Sequence, residues 1–169
     1  LGKLQNTLDL SLSSLLQMEA RHGDAVEELY ALVAVMEKEL PESSYRTDLI
    51  ASVREMGTCL GQGCYIAVLG LGGKILEICI KQRMDHLHVP FDDSWMLGTL
   101  LGELKDVPSQ YIDPAIGNVA NIIKESRIPA VHSKREVPVP SPAQAVMVVN
   151  ATVDVVRRML LAPAPPPIP

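Results

Sequence analysis

Apolar residues recur along most of this chain at steps of three and four, the spacing of one face of an α-helix. Leu4, Leu8, Leu12, Leu15 and Leu16 open the series. Val26, Leu29, Val33, Met36 and Leu40 continue it, opposite Glu27, Glu28, Glu37, Lys38 and Glu39. Between the runs, Arg21-His22-Gly23-Asp24 reads as a break with Asp24 as N-cap, and Pro41 ends the second run. The pattern predicts a helical hairpin over residues 1–42, packed on the main body or on another copy.

A second unit runs over residues 43–161. Leu49, Val53 and Met56 mark a helix over 48–60, which Gly61-Gln62-Gly63 interrupts. The longest helix is expected over 64–87, on a seam of Cys64, Val68, Leu71, Ile75, Ile78 or Cys79, and Gln82. Gly70, Gly72 and Gly73 fall inside it, each costing about 1 kcal/mol against Ala. The expected compensation is close approach of a neighbouring helix. Lys74 is followed by Ile75 and not by Ser or Thr, which argues against a phosphate loop.

Asp92-Asp93-Ser94 reads as the cap of a short helix over 95–104. Asp113-Pro114 is a stronger start signal, a cap residue and then proline at the first helical position. The helix it opens carries Ala115, Ile116, Val119, Ala120 and Ile123 on one face and runs to about Ser126. Pro129 should bend or stop it between Arg127 and His132. Pro138, Pro140 and Pro142 mark an extended connection; Ala145, Val149, Val153, Val156 and Leu160 then make a last helix. Residues 162–169 form a proline-rich tail. The fold class expected is all-α: an antiparallel bundle of about five helices with the N-terminal hairpin as an extension.

Composition sharpens this picture. Apolar residues make up 47% of the 169 and aromatics only 4%, which suits helix packing better than a β-sandwich core. The net charge of −5 excludes a nucleic-acid binder driven by overall charge, so any such contact has to be local. Cys59, Cys64 and Cys79 match no zinc spacing and are expected as buried free thiols in a reducing, cytoplasmic setting. No run of about twenty apolar residues is present, so no membrane span is expected. No cofactor or metal is expected, and His22, His86 and His88 are given no role.

Chemistry concentrates in one stretch. Arg127, His132, Lys134 and Arg135 place four groups that can be positive within nine residues. Histidine moves a proton near neutral pH, and arginine holds a phosphate through two donors. The bland alternative is a helix-end charge on Arg127, paired with Glu125 or Glu136.

The order of parts resembles the HEPN (higher eukaryotes and prokaryotes nucleotide-binding) superfamily. Gly63-Cys64-Tyr65-Ile66-Ala67 and Leu76-Glu77 stand where that family has a Gly-Tyr-like turn and a long helix with Ala and Glu. Arg127-Ile128-Pro129-Ala130-Val131-His132 has the spacing of its Arg-polar-x-x-x-His motif, with Ile128 at the polar position. An extended segment and a final helix follow, as in the family. The resemblance implies a metal-independent endoribonuclease of toxin or defence type, with Arg127 and His132 catalytic, Lys134 and Arg135 on the RNA, and a homodimer. The alternative is a non-catalytic binding or dimerisation module on the same fold, with the N-terminal hairpin free for a protein partner.

Overall fold

The computed structural model describes residues 2–108, 111, 113–131 and 139–163; side chains are described from Ser14 onward, except at Leu15, Pro114 and residues 127–131. Every regular element among the described residues is helical. They are α1 (Gly2–Glu39), α2 (Arg46–Gly61), α3 (Tyr65–His86), α4 (Leu97–Glu103), α5 (Pro114–Val131) and α6 (Pro142–Val156), followed by a π-helical turn, Arg157–Leu161. The all-α expectation is met. α3 lies at the centre and packs on α2, α4, α5 and α6, while α1 lies across α2 and α6.

The expected N-terminal hairpin is a single helix of 38 residues, which also makes α1, not α3, the longest. Gly23 meets nothing within 4 Å, so it costs only its propensity, about 1 kcal/mol. A break would forfeit several helical hydrogen bonds and require a second, unfavourable nucleation. The second half of α1 is no extension. Ala25, Leu29, Leu32, Val33 and Met36, with Leu40 just past the helix end, are all buried in the common core.

α2 ends as the glycines suggest. Gly63 takes φ +74°, the Cys64 N–H donates to the Cys59 carbonyl at 2.8 Å, and the Gly63 N–H to Leu60 at 2.9 Å. This Schellman turn needs a left-handed residue, which glycine supplies without steric cost. α3 ends in the same turn without glycine. His88 takes φ 57°, and Val89 donates to Met84 at 2.9 Å.

Glycine also sets the distance between α3 and α6. A β-carbon on Gly72 would lie 2.7 Å from Val148 Cγ1 and 3.3 Å from Thr152 Oγ1. The close approach expected for the glycines is therefore made at Gly72, whereas Gly70 faces open space. Three other expectations need correction. Of the cysteines only Cys79 is buried; Cys59 is half-buried and Cys64 exposed, because the latter two flank the solvated turn. Along the α3 seam Val68, Ile75, Ile78 and Cys79 are buried, but Cys64 is not. Asp92 does not cap α4: its side chain accepts from the Ser94 N–H at 2.7 Å within a turn, and α4 starts at Leu97 with no side-chain cap.

Candidate functional site at the end of α5

The start of α5 is fixed as Asp113-Pro114 requires. Asp113 Oδ1 accepts from the Ala115 N–H at 2.9 Å, and Asp113 Oδ2 accepts from Arg158 Nη1 at 2.6 Å. These contacts, the backbone donor foremost, hold the Asp113 carboxyl below its ordinary value. Arg158 also donates from Nε to Asp154 at 2.8 Å, so the cap ties α5 to the end of α6. Ile116, Ala120 and Ile123 are the buried row of α5. Arg127 lies four residues beyond Ile123, in the last turns of the helix. Pro129 is accommodated there: the helix passes through it and stops at Val131, five residues beyond the expected end at Ser126 and inside the expected window.

The structure brings the α5 backbone to the residue before His132. The Arg127 side chain and all of His132, Lys134 and Arg135 lie outside the described residues. The described part of this region is a groove of about 510 Å³ between α4, the chain that follows it, and α5. Leu101, Leu104, Ile116 and Val107 give it an apolar lining, and Gly98, Gly102 and Gly117 leave bare backbone on its walls. Its α5 side runs Asp113, Gly117, Asn121, Lys124, one turn short of Arg127. The acidic end of this row is already neutralised by Arg158, and the basic end lies toward Arg127.

Sequence reading missed two polar arrangements. Arg83, only 5% exposed, has no carboxylate partner among the described residues; its guanidinium donates to the main-chain carbonyls of Met159 and, at 3.4 Å, Arg158. Burial lowers its pKa. Lys81 is buried between Glu77, at 3.2 Å, and the Asp93 carbonyl, at 2.7 Å. The Asp93 carboxylate in turn accepts from Tyr45 Oη at 2.9 Å, and burial with this bond pushes the Tyr45 phenol up to about 12. Only the Glu77–Lys81 spacing could have signalled any of this; the other contacts join residues far apart in sequence.

Among the described residues no group of three or more His, Cys, Asp or Glu is placed to hold a metal, and no helix is long and apolar enough to cross a membrane. Comparison with family models, curated proteins and solved structures finds no match.

Proposed function

We propose that this chain is a HEPN-like helical module that engages RNA at the C-terminal end of α5 and cleaves it without a metal. The observation that carries the reading is a groove along Gly117, Asn121 and Lys124 of α5, the helix that goes on through Arg127 and ends at Val131, one residue before His132. The order of elements also supports it: a glycine turn at Gly63, the long α3, then α5 and a final α6.

In this reading His132 takes the proton from a ribose 2′-hydroxyl. The 2′-oxygen bonds to the adjacent phosphorus, and the bond from phosphorus to the 5′-oxygen breaks. The departing oxygen takes a proton from a second His132, supplied by another copy across a two-fold axis. Arg127 holds the phosphate oxygens through two donors, and Lys134 and Arg135 steer the strand. The setting is the cytoplasm, and the role that of a toxin or defence effector.

The test is RNA cleavage in EDTA by the wild type and His132→Ala. Cleavage that persists in EDTA and disappears in the variant, with unchanged thermal unfolding, is expected. Cleavage that needs a divalent cation, or that survives the alanine, overturns the mechanism. Ile128, at the family's polar position, favours a second reading as a non-catalytic binding and dimerisation module. Retained RNA binding without any cleavage selects it.

A further inference from the structure

The turn between α2 and α3 draws two of the three cysteines together. Left-handed backbone at Gly63 folds the chain back, so that the Cys64 N–H reaches the Cys59 carbonyl at 2.8 Å. Cys59 is third from the end of α2, and Cys64 is the second residue past the cap, Gln62. These are the two positions whose side chains meet in a Schellman turn. With standard backbone lengths, that 2.8 Å bond keeps the two α-carbons within about 6.7 Å of each other. A disulfide spans about 4.4–6.8 Å between α-carbons.

The two thiols also differ in the way that an attacking and a resolving cysteine differ. Cys64 is exposed, whereas Cys59 is half-buried and packs against the core. Burial, then the Glu55 carboxylate one turn back and the Cys64 thiol, push the Cys59 pKa up. A dissolved oxidant therefore meets Cys64 first, with Cys59 waiting beside it. Cys79 is buried four turns along α3, about 22 Å from Cys64, and stands apart from both.

We infer that Cys59 and Cys64 are a reversible dithiol–disulfide pair, a redox site that closes the α2–α3 turn on itself. The oxidant is a small-molecule disulfide such as oxidised glutathione. The Cys64 sulfur gives up its proton and bonds to one sulfur of the oxidant, whose S–S bond breaks. One glutathione leaves and takes a proton as a thiol. The Cys59 sulfur then loses its proton and bonds to the Cys64 sulfur, and the second glutathione leaves as a thiol. Two protein thiols are oxidised by two electrons, and one glutathione disulfide is reduced to two thiols. In a reducing compartment such a pair closes only transiently, as redox-sensing disulfides do. The inference is independent of the RNA chemistry proposed above.

The test is mass spectrometry of the full chain after equilibration, folded, with oxidised and reduced glutathione. After an acid quench and alkylation in denaturant, trypsin releases residues 55–74, which carry both cysteines, apart from Cys79. In the wild type this peptide should be lighter by two hydrogens and unalkylated, with Cys79 alkylated. Cys59→Ser should stop at glutathione on Cys64, and Cys64→Ser should react slowly. The oxidised-to-reduced equilibrium constant should be roughly tenfold higher in the folded chain than in urea, because the turn already closes the loop. Amide exchange at Gly63 and Cys64 should slow on oxidation, since the disulfide fits the existing turn. Glutathione that stays on wild-type Cys64, two chains joined through Cys64, or an equilibrium constant no higher in the folded chain overturns the inference. So does faster exchange at Gly63 and Cys64, which would mean that closure breaks the turn.

Discussion

Gly72→Ala is the sharpest probe of how α3 and α6 meet. The new methyl would sit 2.7 Å from Val148 Cγ1 and 3.3 Å from Thr152 Oγ1, with Met56 Cε at 3.4 Å. Met56 can move. Val148 is held to one rotamer in its helix, and Thr152 is tied by its hydroxyl to the Val148 carbonyl at 2.8 Å. Overpacking of this kind costs about 1–3 kcal/mol, against a helix-propensity gain of about 1 kcal/mol. The net expectation is a loss of up to about 2 kcal/mol. Gly70→Ala, two residues away with open space around it, should instead gain up to about 1 kcal/mol. Equilibrium urea unfolding followed by the lone Trp95 reads both as shifts of the midpoint at constant slope. Val148→Ala should relieve the Gly72→Ala penalty in a double-mutant cycle. If Gly72→Ala stabilises as much as Gly70→Ala, α6 does not lie against α3 there.

Three further outcomes follow from the described contacts. His88→Gly should stabilise by about 1 kcal/mol in the same assay, because it removes a left-handed β-carbon; a loss would mean that His88 makes contacts outweighing its strain. Arg83→Met keeps the stem but loses the donors to the Met159 and Arg158 carbonyls, and should cost about 2 kcal/mol; an unchanged midpoint would show those bonds to be idle. Tyr45 is raised in the folded state, so its contribution is whole below pH 10 and is lost as pH rises through about 12. A late tyrosinate absorbance phase near 12 should therefore vanish in Tyr45→Phe and move earlier in Asp93→Asn; a phase that ignores both would sink the assignment.

Local signals proved readable where the physics is local. The Asp113-Pro114 start, the Gly63 turn and the period of α6 all rest on residues within a few positions of one another. The capping box that opens α6, Ser141 with Gln144, belongs to the same class, although Pro142 drew attention first. Reading failed where a distant partner decides. A polar cluster around Gly23 looks like a loop locally, yet α2 and α6 hold the helix on its far side. Asp92-Asp93-Ser94 has cap chemistry, but the chain needs two more residues of turn before α4 can begin. The buried Arg83 is invisible in sequence because its acceptors are main-chain carbonyls some seventy-five residues away. At the candidate site the sequence suggests the residues, and the structure adds the end of α5 at Val131 and a groove along that helix as far as Lys124.

The most direct test of the central claim is amide mapping of the isotopically labelled chain against a short single-stranded RNA in EDTA. The account predicts perturbations that cluster on Gly117, Asn121, Lys124 and Arg127 and extend to His132, and that weaken in Arg127→Ala. Signals that stay unmoved along this row, while the RNA binds elsewhere or not at all, would contradict it.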